Sequence, residues 1–198
     1  MSRRGSSAGG FTLIELMMAV AILITIAAIA IPMGLSMTDR MRLNQSLREV
    51  ERELQTARLK AVSLNTSLQV RFNCPQPDQY RIVEVMQNDA VDNTDDRCDP
   101  AAYDAGEKRT GRDGDSAMPD FDGPVRYLTN QVHFEAGTMV FQFSPTGQTM
   151  QIVGNKAQAI GADGVDLRLT KATAEGKAVT GTVNINALGR TSINIEID

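Results

Sequence analysis

The residue with the strongest chemical claim in this chain of 198 residues is Glu15. It stands near the start of FTLIELMMAVAILITIAAIAIP, where only Thr25 is polar between Leu16 and Ile31. An ionisable side chain in hydrocarbon is costly unless it is paired or close to the interface. Glu15 lies one helical turn beyond Phe11. A cut between Gly10 and Phe11 would create an ammonium at Phe11, related to the Glu15 carboxylate by an i,i+4 spacing. The amine can be the chain's own or that of a neighbouring copy. Either pairing makes the buried charge tolerable.

Other groups offer less. Cys74 and Cys98 are the two cysteines, too few for a disulfide framework or a four-thiolate zinc site. Facing each other across the second expected strand, they can bridge if the head lies outside the cytoplasm. Closing a loop of about 25 residues this way adds ~3 kcal/mol on the chain-entropy model. The alternatives are two free thiols or pairing with another chain. His133, the one histidine, excludes any mechanism needing two. It sits between Val132 and Phe134 in an expected strand, with no acid or nucleophile nearby in sequence, and reads as structural. No phosphate-binding loop, dinucleotide fingerprint or H-E-x-x-H is present. The chain is therefore expected not to be an enzyme, and a membrane-anchored periplasmic enzyme is the disfavoured rival.

Acidic residues concentrate at 87–124, with eleven carboxylates against four basic side chains. Asp113/Asp115 or Asp120/Asp122 can supply oxygens to calcium, which takes six to eight. The spacing does not match the twelve-residue calcium loop, so a solvated charged loop is expected there, and no cofactor.

These residues are set on elements of two kinds. From Phe11 to Ile31 the run counts 21 residues, apolar but for Thr12, Glu15 and Thr25. That is roughly 31 Å of helix at ~1.5 Å per residue, enough to cross a bilayer. Arg3 and Arg4 precede it, which places the N-terminus in the cytoplasm and the head in the periplasm. The run is too long for a secretory signal peptide, and no small-x-small site comes after it. Past Pro32 and Gly34, helical periodicity resumes: Leu43, Leu47, Val50, Leu54, Ala57 and Ala61 form one stripe. One helix over roughly 11–64 is expected, kinked or locally melted near Pro32. Its second half, within 33–66, is amphipathic and packs on the domain C-terminal to it.

After Thr66 the period becomes 2. Leu68, Val70 and Phe72 predict a half-buried strand, and residues 80–86 a second. Further strands are expected over 138–143, 148–153 and 165–169, and around Val183 and Ile193. The fold class is α+β: a long N-terminal helix on an antiparallel β-rich head spanning 67–198, with 87–124 as a surface insertion.

The stretch Gly10-Phe11-Thr12-Leu13-Ile14-Glu15-Leu16-Met17 resembles the processing and methylation motif of type IV pilins and pseudopilins. A short basic leader ending in glycine and the proline Pro32, one membrane length on, extend the likeness. Leu54-Gln55-Thr56-Ala57-Arg58-Leu59-Lys60-Ala61, Val140-Phe141-Gln142-Phe143-Ser144-Pro145-Thr146-Gly147 and Gly189-Arg190 are similar to minor pseudopilins and minor pilins of the GspH/FimT kind. The resemblance implies a leader of residues 1–10 cut after Gly10 by a prepilin peptidase, and N-methylation of Phe11. It also implies that Glu15 pairs with the terminal amine of an adjacent subunit as other pilins or pseudopilins assemble around it. The expected subunit is held in inner-membrane lipid and then enters a type II secretion pseudopilus or a type IV pilus.

FimT-like minor pilins are associated with DNA uptake through a Gly-Arg-x-Arg motif. Here Gly189 and Arg190 match, but Ser192 replaces the second arginine, leaving Arg190 as a weak DNA contact. Nucleic acid is therefore not the expected partner. The net charge of −4 conceals this layout. Removing the leader takes the chain to −6, and the insertion alone carries −7.

Overall fold

The computed structural model describes residues 12–86, 92, 98, 121–135, 137, 139–154, 156–173 and 176–197. Within them the chain is α+β, with one N-terminal helix followed by two antiparallel sheets. Helix α1 spans Leu13–Leu64. Thr12 caps its start, its carbonyl accepting from the Glu15 and Leu16 amides at 3.1 and 3.2 Å and its hydroxyl from Glu15 at 3.4 Å. Asn65, at φ 51°, ends it. The Thr66 amide then reaches back to the Ala61 carbonyl, and the Asn65 amide to Val62, the paired closure that a left-handed residue makes possible.

The helical backbone continues unbroken past residue 32, so the local melting expected near Pro32 does not occur. The Pro32 side chain lies outside the described residues. Two hydroxyls in this part of the helix are satisfied internally: Thr25 donates to the Ala21 carbonyl at 2.8 Å and Thr38 to Gly34 at 2.9 Å. The chain divides into two compact units between Thr38 and Asp39.

The second unit carries ten strands: β1 (Leu68–Phe72), β2 (Gln79–Glu84), β3 (Arg126–Tyr127), β4 (Val132–Phe134), β5 (Met139–Phe143), β6 (Thr149–Val153), β7 (Lys156–Ala159), β8 (Val165–Ala172), β9 (Ala178–Ile185) and β10 (Thr191–Ile197). One sheet has the order β3-β2-β1-β5-β6-β7 and the other β10-β9-β8-β4. The expected stripe Leu43, Leu47, Val50, Leu54, Ala57 and Ala61 is buried along its whole length. It shares one core with Val70, Phe72 and Phe141 of the first sheet and Leu167, Leu169 and Val183 of the second. Fully burying a leucine contributes about 1.5–3 kcal/mol, so Leu43, Leu47 and Leu54 alone anchor this half of the helix firmly. Gly181 permits the closest approach, because a Cβ there would collide with Leu47.

One expectation about the strands needs correction, and the strand β7 was not expected. β1 is buried on both faces rather than one. Its inner residues Leu68, Val70 and Phe72 meet the core, while on the other face Gln69 is buried beside Gln142 and Arg71, and Arg71 meets Asp92 of the insertion. β7 was not legible: Lys156, Ala157, Gln158 and Ala159 are all exposed and show no apolar alternation.

Candidate functional site

The N-terminal end of α1 carries the candidate assembly element. Leu13–Ile31 is long and apolar enough to cross a membrane, and none of it is buried within the chain. At ~1.5 Å per residue these 19 residues span about 28 Å, close to the thickness of a hydrocarbon core. Leu13, Leu16, Met17, Ile24 and Ile29 are among the exposed apolar side chains. Glu15 stands in the first turn of this helix. There a carboxylate is favoured by the helix dipole as well as by any nearby ammonium. Gly10 and Phe11 lie outside the described residues.

In the head, Cys74 and Cys98 form a disulfide with a Cα–Cα separation of 5.5 Å. It ties the turn after β1 to a residue of the insertion. Cys98 is completely buried, and its carbonyl accepts from Arg81 Nη1. Asp92 is buried too, where a solvated loop was expected. Its carboxylate accepts from the Met86 amide at 2.9 Å, and its carbonyl from Arg71. Asp122 accepts from the Glu84 amide at 2.8 Å and lies 4.0 Å from Arg81. These contacts use Asp92 and Asp122 to dock chain onto β1 and β2. Asp113, Asp115 and Asp120 lie outside the described residues, among which no group of three or more metal-ligating side chains occurs.

His133 does find an acid that is distant in sequence. Its Nδ1 lies 2.7 Å from Asp78 Oδ2, while Asp78 Oδ1 accepts from the Phe134 amide at 3.1 Å. Asp78 itself has φ 62° in the turn before β2, so the pair clips that turn to β4. Among the described residues no nucleophile joins the pair.

Arg190 is exposed beside a turn fixed from beneath by the helix. Gly189 has φ 70°, and a Cβ on it would lie 2.6 Å from Arg58 Cδ. Its carbonyl accepts from Gln55 Nε2 at 3.2 Å. The next turn residue in space, Gly147, accepts from Arg58 Nε at 3.2 Å. Gly189 is thus required for close packing on Arg58. Ser192, in place of a second arginine, stands exposed two residues beyond Arg190.

Three buried polar features were missed from sequence. Lys171 is 1% exposed; its Nζ donates to the Asn130 carbonyl at 2.7 Å and lies 3.6 Å from Asp39 Oδ1. The signal was available, because Lys171 continues the inward parity of Val165, Leu167 and Leu169. Arg71 and Arg81 are direct cross-strand neighbours and both are buried. Tyr80 donates to Glu49 at 3.2 Å. Burial, followed by the nearby Glu49 and Glu53 carboxylates, pushes its hydroxyl well above the ordinary phenol value.

Comparison of the chain with protein-family models, with curated proteins and with solved structures returns no match.

Proposed function

We propose that this chain is a minor pilin-like assembly subunit of the GspH/FimT kind, working in a type II secretion pseudopilus or a type IV pilus. One observation carries the proposal: Gly-Phe-Thr-Leu-Ile-Glu heads a helix whose next turns are apolar on every side. A helix that is apolar all round has to be covered by lipid or by other helices. The same surface then serves twice. It holds the precursor in the inner membrane, and after cleavage it packs with the corresponding helices of other pilins.

Glu15 supplies the register in this mechanism. A carboxylate in an apolar bundle is tolerated when a partner ammonium meets it, and cleavage after Gly10 creates such an ammonium at Phe11. An incoming subunit with an uncut leader has no charge there to offer. The head, fixed to the second half of the helix by the Leu43–Ala61 stripe, presents its surface to partners.

Processing tests the proposal. The full chain is expressed with and without a prepilin peptidase, and the mature N-terminus is sequenced. Methylated Phe11 at the new terminus is the expected result. An intact Met1 in the presence of active peptidase, or a cut near Pro32, would overturn it.

A further inference from the structure

Sheet edges expose unpaired backbone donors and acceptors, and proteins blunt them with short strands, lysines or prolines. Among the described residues, three of the four edges here follow that rule. β3 has two residues, β4 has three, and β7 has four and opens with Lys156. The fourth edge, β10, has seven residues with no lysine or proline and a single charged side chain, Glu196, near its end. It also carries Ile193 and Ile195, half-buried and packed on the rim of the core.

The register shows which backbone groups point outward. β10 pairs with β9 so that Ser192 faces Asn184 and Asn194 faces Thr182. The Asn186 amide donates to the Arg190 carbonyl at 3.1 Å, which makes that facing pair a hydrogen-bonded one. In an antiparallel ladder bonded and non-bonded pairs alternate. Residues 192, 194 and 196 therefore bond to β9, while the amides and carbonyls of Thr191, Ile193, Ile195 and Ile197 point away from it. The same alternation carried across β9 and β8 requires Arg168 to bond outward, and the Glu135 amide does donate to the Arg168 carbonyl at 3.0 Å.

We propose that β10 is an acceptor edge for strand addition, taking an extended antiparallel segment of a partner protein. The partner's chemistry is set by the residues that face it. Arg190 and Glu196 flank the edge on the exposed face of the sheet, with Ser192 and Asn194 between them. A matching strand carries a basic residue opposite Glu196 and an acidic residue opposite Arg190. Between them it places apolar side chains opposite Ile195 and Ile193, alternating with small polar ones. Main-chain hydrogen bonds supply the affinity and the charged ends set direction and register. A second copy pairing β10 to β10 is not the occupant. The two-fold axis of such a pair is normal to the sheet and reverses any helix lying on it. In this unit α1 runs along the strands, meeting Lys171 at Asp39 and Thr191 at Glu51 and Gln55. Two copies so paired would point their helices in opposite directions.

The edge itself is unpaired among the described residues whatever the chain assembles into, whereas the exclusion of a second copy rests on the proposed function, in which neighbouring helices run the same way. The test uses the full chain in detergent micelles and the peptide Lys-Ile-Thr-Ile-Thr-Val-Asp at about 1 mM, with residue-resolved amide exchange as the readout. In the free chain the amides of Ile193 and Ile195 exchange fast and those of Ser192 and Asn194 slowly. The peptide is expected to slow Ile193 and Ile195 by about tenfold and leave Ser192 and Asn194 unchanged. The same peptide with proline at its second and fourth positions loses the donors and gives no protection. A peptide with its end charges exchanged binds more weakly, and the double variant Arg190→Glu with Glu196→Lys restores it. Slow exchange at Ile193 and Ile195 before peptide is added would overturn the proposal. So would equal protection by the proline peptide, or none by the matched one.

Discussion

Removing Asp39 is expected to destabilise the head more than removing its buried partner, Lys171. The Lys171 side chain is 2% exposed and that of Asp39 11%, with 3.6 Å between Nζ and Oδ1. At an effective dielectric of about 20, that separation corresponds to an attraction of about 4.6 kcal/mol. Desolvation offsets much of it, so the pair contributes little against a well-packed apolar replacement. Breaking it from one side is a different matter. In Asp39→Ala the ammonium stays buried with the Asn130 carbonyl and no facing carboxylate, a loss of about 3–5 kcal/mol. In Lys171→Met the Asp39 carboxylate still has Arg42, 3.8 Å away and half-exposed. The cost there falls to about 1–3 kcal/mol. The double variant leaves no stranded charge and is expected to be less destabilised than the two single costs added, by about 2 kcal/mol. Unfolding of the full chain in micelles, followed by tyrosine near-ultraviolet circular dichroism, measures all three; the chain has no tryptophan to interfere. Equal costs for the two single variants would refute the asymmetry. Additivity within about 0.5 kcal/mol would refute the interaction itself.

Tyr80 makes stability fall in alkali. The folded chain keeps the phenol proton where the unfolded chain has lost it, so the contribution is whole below about pH 10 and declines above it by up to ~1.4 kcal/mol per pH unit. Tyr80→Phe is expected to flatten that limb of a melting-temperature series, and an unchanged slope would count against it. Replacing Cys74 and Cys98 by serine is expected to lower stability by about 3 kcal/mol. It should also speed exchange of the Met86 amide, which donates to Asp92 of the insertion; a melt and an exchange rate both unmoved would dismiss the anchoring role.

Legibility tracked the strength of the local period. The stripe from Leu43 to Ala61 was readable because a 3.6-residue repeat has one solution, a helix with that face buried. Alternation exposed β5, β8 and β10 for the same reason. Where period failed, so did the reading. Lys156-Ala157-Gln158-Ala159 joins a sheet by backbone pairing alone, and no side chain announces it. Gln69 and Arg71 looked like the wet face of β1 because polar residues in alternation normally are. What meets Arg71 is Asp92, near a bridge that sequence allowed but did not require, and Gln69 pairs with Gln142. At the candidate site, Glu15 was conspicuous because its type contradicts its surroundings. The Asp39–Lys171 pair was not, since Asp39 stands beside Arg40 past the end of the apolar run and looks like an ordinary charged flank.

The Arg71–Arg81 pair explains why Asp92, Cys98, Asp122 and Gly123 of the acidic insertion belong to the fold. Like charges directly opposite each other on a sheet are destabilising, and burial makes them more so. Here both guanidinium groups are nonetheless buried. They donate to the Asp92, Cys98 and Gly123 carbonyls and to Gln69, and Asp122 faces Arg81. Every one of those groups except Gln69 comes from the insertion or its margin. Burial of the two arginines thus relies on groups of residues 92, 98, 122 and 123. The disulfide acts on the same contact by shortening the search that brings Cys98 to its place. Among the described residues of 87–124, Asp122 therefore sets one carboxylate against Arg81, and the Asp92 backbone takes Arg71, where a free-standing sheet would put water.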